Sequence, residues 1–166
     1  MKTLYPLLLL AVVLTGCVSR TVRVYPPSAL EEAKPAGIRI ALCSLFVEDQ
    51  ERALQFYTEM LGFEKKHDIP AGEFRWLTVT SPAGPEGVEL LLEPNSHPAA
   101  QAYQKAIFED GIPAASLFAT DLQAEYERLV EKGVEFKTPP TTMGDHMIAV
   151  FHDTCGNLIQ LSQAEG

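Results

Sequence analysis

The chain has four histidines, His67, His97, His146 and His152. His146 and His152 flank "MIAVF", and an even spacing puts both on one face of a regular strand. At about 3.3 Å per residue they would stand roughly 20 Å apart, too far to share an ion. His97 opens a helix and His67 sits in a charged strand, so each imidazole is expected to be solvated or locally hydrogen-bonded rather than a ligand. Cys43 lies in an apolar run and Cys155 in a turn. An oxidising compartment would permit a disulfide between them, but spacing does not give their separation, and two unpaired thiols are expected.

The elements that position these residues come in two copies. "SLFVED" (44–49) returns as "SLFATD" (116–121), 116 − 44 = 72 residues later. Asp49 and Asp121 are expected to cap helices, carrying Ala53, Phe56, Tyr57, Met60 and Leu61 in one and Leu122, Tyr126, Leu129 and Val130 in the other. Gly62 and Gly133 stand where each helix would stop. Three strand candidates follow each helix: "FEKKHDI", "FRWLTVTS" and "GVELLLE", then "VEFKT", "HMIAVFH" and "NLIQLSQ". Ser96 could cap a connecting helix over about 96–110. The pattern is β-α-β-β-β twice, over about 38–93 and 113–163, which indicates an internal duplication.

The 166 residues suit one domain, and 46% hydrophobic content is enough for a core. A net charge of −9 argues against nucleic acid as a partner. Residues 1–16 read as a secretory signal: Lys2, then an apolar run from Leu4 to Leu14 too short to span a bilayer. "LTGC" (14–17) resembles a bacterial lipoprotein signal, which implies lipidation of Cys17, a membrane partner and a place in the cell envelope, on the periplasmic face of the outer membrane in a Gram-negative cell. The competing readings are an ordinary cleaved signal with a chance cysteine and a misassigned start codon. Residues 17–37, with Pro26, Pro27, Pro35 and Gly37, read as a tether ahead of a domain spanning 38–166.

"LFVEDQERALQFYTEMLGFE" and "VFHDTCGNLIQLSQ" resemble the opening and close of the vicinal oxygen chelate superfamily, which includes glyoxalases, bleomycin-resistance proteins and extradiol dioxygenases. The resemblance covers about residues 38–163 and implies an α+β fold, two tandem βαβββ modules forming a curled mixed sheet around a central cup. Family enzymes hold a divalent metal in that cup. The ligand positions fall on Leu42, Glu89, Ala114 or Ala115, and Gln160. Leucine and alanine side chains cannot ligate, so no metal or other cofactor is expected, a divalent ion being the alternative. In the dry, metal-free cup that the resemblance implies, Glu89 is a candidate general base, or it hydrogen-bonds to Gln160 across the pseudo-twofold and does no chemistry.

Alternation along the strands suggests a pocket in place of the metal site. Cys43, Leu45 and Val47 would face the helix, leaving Leu42, Ser44 and Phe46 toward the cup. Ser116 and Phe118 take matching places, and Phe74, Trp76, Glu89, Leu91 and Gln160 would share the cavity. The expected ligand-binding set is therefore Ser44, Phe46, Trp76, Glu89, Ser116, Phe118 and Gln160, suited to a small, partly planar organic ligand. The competing readings are a glyoxalase-type lyase or isomerase with a rearranged metal site or Glu89 as base, and an envelope interaction module that forms a homodimer.

Overall fold

The computed structural model describes residues 37–164; the expected signal, most of the tether and the lipidation site Cys17 lie outside them. The first module runs β1 (Leu42–Val47), α1 (Gln50–Gln55) continuing into a π turn (Phe56–Met60), β2 (Glu64–Ala71), β3 (Phe74–Thr80) and β4 (Glu89–Pro94). Helix α2 (Pro98–Glu109) connects it to the second: β5 (Ala115–Phe118), α3 (Leu122–Glu131), β6 (Phe136–Met143), β7 (His146–His152) and β8 (Leu158–Ala164). The fold is α+β. Its mixed sheet structure comprises two four-stranded sheets, ordered β1-β4-β3-β2 and β5-β8-β7-β6. In each, the first strand pairs in parallel with the last.

The helix boundaries follow local chemistry. Asp49 Oδ1 accepts the N–H groups of Glu51 and Arg52, both at 2.9 Å, and Asp121 Oδ1 accepts that of Ala124 at 3.0 Å. Gly62 and Gly133 adopt φ of 78° and 87°, a left-handed conformation that only glycine takes without strain. Two expectations need correction. Helix α2 is capped by His97, not Ser96: His97 Nδ1 accepts the Ala99 N–H at 3.1 Å, and Pro98, lacking an N–H, starts the helix at no hydrogen-bonding cost. The first helix also does not stay α-helical. An α-helix would point adjacent side chains about 100° apart, yet Phe56 and Tyr57 are both buried, at 6% and 0% exposure. The π turn begins at this pair, with the Leu61 N–H reaching the Phe56 carbonyl at 3.3 Å.

Both modules feed one core. Leu45, Val47, Leu77, Val79 and Leu92 line it from the first sheet, and Ala149, Phe151, Ile159 and Leu161 from the second. The first helix touches both: the Phe56 ring lies 6.1 Å from that of Phe151. Cys43 shares the parity of Leu45 and Val47 but is exposed at the open start of β1. Cys155 is buried, and neither of these two thiols is bonded to another. Arg128 donates to the Met60 carbonyl at 2.9 Å and Lys132 to that of Glu59 at 2.6 Å, placing cations of the second module at the C-terminal end of the first helix.

The deepest link is polar. Asp153, fully buried, accepts the N–H groups of Cys155 (2.8 Å) and Asn157 (2.9 Å) on Oδ1. Its Oδ2 accepts the Asn157 side chain (2.7 Å) and the Tyr57 hydroxyl (3.2 Å). Burial pushes this carboxyl above its ordinary pKa, and the four donated bonds oppose the rise. Between the ordinary and the raised value the folded chain binds the extra proton, so this group's contribution to stability falls as pH rises through that window. Asp153→Asn would set an amide N–H₂ against donors on one side or the other. It is expected to cost about 2 kcal/mol or more in urea denaturation at neutral pH and to flatten the pH dependence above the ordinary carboxylate range. A stabilised variant would mean that the burial penalty outweighs the hydrogen bonds.

Candidate functional site

The parity that buries Leu45, Val47 and Leu92 turns alternate residues to the other side of the sheet. On the first sheet that face carries Leu42, Ser44 and Phe46 from β1, Phe74, Trp76 and the buried Thr78 from β3, and Glu89, the buried Leu91 and Glu93 from β4, as register requires: Leu42 pairs with Glu89, Ser44 with Leu91, Phe46 with Glu93, and Thr78 with Leu91. Trp76 is 41% exposed, a large aromatic surface left in water. The expected residues Ser44, Phe46, Trp76 and Glu89 thus share one face.

Ser116, Phe118 and Gln160 lie together on the second sheet. Ser116 pairs with Gln160 and Phe118 with Ser162. The Gln160 amide donates to Ser162 Oγ at 2.9 Å and reaches Ser116 Oγ at 3.5 Å. Phe118 is 74% exposed. Two clefts stand out among the described residues, and neither combines this group with the first. Of the seven expected residues, four lie on the first sheet and three on the second. The shared core lies on the helix-facing sides of both sheets, and the other faces carry the exposed rings of Trp76 and Phe118.

Glu89 has partners that spacing alone did not reveal. Its Oε2 accepts the hydroxyl of fully buried Thr78 at 2.7 Å, and its Oε1 lies 3.6 Å from His67 Nε2. Thr78 Oγ1 also accepts the His67 backbone N–H at 3.2 Å. The expected bond to Gln160 is not made; Gln160 is spent within the second sheet. Thr78 was legible, two residues beyond Trp76 on the same face. His67 was not, because its pairing with Thr78 is set by a hairpin whose first strand runs on to Ala71, past the end of the expected "FEKKHDI". Of the other imidazoles, His97 is the helix cap, His146 is exposed, and His152 packs edge-on to Phe108 with centroids 5.6 Å apart.

The family's ligand positions do not fit a divalent ion. Leu42, beside Glu89, offers no donor atom. The neighbour of Gln160 is Ser116, not Ala114 or Ala115; Ala115 pairs instead with Ile159, a core residue. A carboxylate, a hydroxyl and an amide on separate sheets are a poor donor set, and no three His, Cys, Asp or Glu among the described residues are grouped to hold a metal.

One of the two clefts opens where this face meets helix α2. It has a volume of about 610 Å³, with Phe46, Phe74, Tyr103, Glu93, Pro94 and His97 among its walls. The other, about 510 Å³, lies between the π turn and the start of the second module's sheet, against Phe56, Phe108, Lys132 and His152.

Duplicated βαβββ modules, each with a first strand parallel to its last, define a glyoxalase-like fold. The profile of the Glyoxalase/Bleomycin resistance protein/Dioxygenase superfamily matches residues 39–161, and the chain belongs to that family. It is 60% identical over 126 residues to the uncharacterized protein YurT of Bacillus subtilis (strain 168), covering 76% of this chain and 99% of that one. Among solved structures it is similar to UcmS2, at 33% identity and a TM-score of 0.67, over 79% of this chain and 100% of that one. It is also similar to TnmS3, an antibiotic binding protein from Streptomyces sp. CB03234, at 29% identity and a TM-score of 0.62, over 79% and 99% of the two chains.

Thr78→Val keeps the shape of the side chain but removes the hydroxyl that joins Glu89 to the His67 backbone. It is expected to lower stability by about 1–2 kcal/mol in urea denaturation. A neutral result would show that water replaces the hydroxyl at no cost.

Proposed function

We propose that the chain is a small-molecule-binding protein that holds a partly planar organic ligand against the open face of its first module. The observation that carries this reading is the exposed ring of Trp76, on the same face as the half-buried rings of Phe46 and Phe74 and the hydrogen-bonded Glu89–Thr78 pair. Aromatic side chains give a flat ligand large contact area at low entropic cost, and the carboxylate offers an acceptor that fixes its orientation. That TnmS3 is an antibiotic binding protein supports small-molecule binding as a use of this fold.

On this reading Ser116, Phe118 and Gln160 reach the same ligand from a second copy of the chain, because within one chain they lie on a separate open face. Binding needs no metal, and Glu89 serves as an acceptor. Lipidation at Cys17 would hold the domain at the envelope membrane, where it meets molecules arriving from outside.

Trp76 is the chain's one tryptophan, so its emission reports on this face alone. Titration with a panel of polycyclic aromatic compounds, antibiotics included, is expected to quench it saturably. Phe46→Ala should weaken the best binder at least tenfold, about 1.4 kcal/mol. Unquenched emission across the panel would sink the reading. So would near-unit nickel, zinc, iron or manganese, measured by mass spectrometry and lost in Glu89→Ala, because it would return the chain to the metal-dependent enzymes. Labelled palmitate should enter the full chain expressed in bacteria but not its Cys17→Ala variant; label in both would remove the anchor.

A further inference from the structure

The cleft between β4 and helix α2 has an uneven chemistry. Three aromatic side chains, Phe46, Phe74 and Tyr103, surround it, and one carboxylate, Glu93, stands among them. No lysine or arginine lines it. Phe46 and Glu93 are register partners on adjacent strands, so the ring and the carboxylate sit side by side on the same face. Glu93 is half-buried and forms no salt bridge or side-chain hydrogen bond among the described residues. Other carboxylates nearby are spent: Glu89 on Thr78, Glu48 on Arg52 at 3.0 Å, and Glu51 on Arg75 at 2.7 Å. Arg75 follows Phe74 in sequence, but strand parity turns it to the opposite face, where it also holds Asp68 at 2.7 Å.

A partly desolvated carboxylate without a counter-charge is costly to keep. Aromatic faces carry negative potential at their centres, so rings grouped around a carboxylate favour a cation and repel an anion. The chain's net charge of −9 adds attraction at long range. A metal ion is a poor match, since one carboxylate supplies too few donors and the rings supply none. A weakly hydrated organic ammonium group is the match: its charge pairs with Glu93 and its alkyl substituents lie on Phe46, Phe74 and Tyr103.

We infer that this cleft receives an alkyl- or quaternary-ammonium group, and that the ligand of the first module's open face is an organic cation. The inference rests on the small-molecule reading above and adds the charge of the ligand and the end of the face that reads it. Phe46 belongs to both cleft and face, so one molecule can span them, with its ammonium end at Glu93 and its planar part toward Trp76.

The test compares a cation with its neutral isostere on the full chain. Choline and 3,3-dimethyl-1-butanol share a shape and differ in charge; benzyltrimethylammonium and benzoate bracket the aromatic case. Dissociation constants are read by ligand-observed NMR. Choline is expected to bind at least tenfold more tightly than the alcohol, and benzyltrimethylammonium more tightly than benzoate. Glu93→Gln should reduce the preference to within about twofold, whereas Glu109→Gln, an exposed carboxylate elsewhere on α2, should leave it intact. Tyr103 is 58% exposed, so Tyr103→Leu removes a ring without opening the core and should weaken choline at least threefold. Equal binding of cation and isostere, or a preference that survives Glu93→Gln, would overturn the inference. Quenching of Trp76 by neutral or anionic aromatics with no ammonium binding would also overturn it while leaving the small-molecule reading standing. If the ammonium probes behave as expected and no compound quenches Trp76, the cleft stands and the broader reading falls.

Discussion

The hydrogen-bond knot around Asp153 is the constraint on which the rest of the molecule depends. One carboxylate gathers Tyr57 from the first helix and both the backbone and side chain of Asn157 from the turn before the last strand. The Asn157 amide also donates to the Phe46 carbonyl at the end of β1, at 2.8 Å. Gln104 on α2 extends the knot: its amide nitrogen shares two N–H groups among three acceptors, the carbonyls of Phe46 (2.9 Å) and Cys155 (3.0 Å) and Asn157 Oδ1 (2.9 Å). Both modules and the connecting helix therefore meet at one buried polar centre. Among the described residues no buried side-chain nitrogen or oxygen lacks a partner, which is the condition for such a network to stabilise rather than weaken a core.

The knot dictates unusual backbone in the turn it closes. Thr154 is held at φ 64°, a conformation that costs a β-branched residue on the order of 1–3 kcal/mol. Gly156, at φ 88°, is closely approached: a Cβ there would lie 3.0 Å from Gln104 Nε2 and 3.1 Å from Glu48 Oε1 and would press on both. The same close approach seats α2 against the end of β1. That seating brings Tyr103 over the sheet face that carries Phe46 and Glu93. The candidate site is thus assembled by a contact on the far side of β1 from its own chemistry.

Duplication supplied two copies of one module, and the copies have since drifted in register. Ser44 pairs with Leu91, so offsets of 72 and 71 residues would set Ser116 beside Ser162; instead it pairs with Gln160. A slide of two residues leaves every side chain on its original face, so the core tolerates it. It does change which polar groups meet. In the first module Glu89 is free to bond Thr78, whereas in the second Gln160 and Ser162 join Ser116 in a local serine–glutamine cluster. The two open faces have become chemically different: one aromatic and acidic, the other polar apart from Phe118.

Short-range patterns in the sequence carried the order of elements, the duplication, the caps at Asp49 and Asp121, the stops at Gly62 and Gly133, and the sorting of β1 and β3 into a core side and an opposite side. These follow from period-two alternation and from residues whose conformational preferences are their own. The sequence likewise put Phe46, Trp76 and Glu89 on one face. Tertiary structure alone decided the partners. That His67 lies beside Glu89 depends on the register of the β2–β3 hairpin, and that Ser116 rather than Ala114 or Ala115 meets Gln160 depends on a register slide. That Glu93 stands among three rings depends on where α2 docks, which Gln104 sets through a buried knot whose other members lie about 50 residues away or more in the chain. Alternation determines which side of a strand a residue faces; it carries no information about what waits there, because pairing across strands and docking between modules are settled by packing and hydrogen bonds between distant segments.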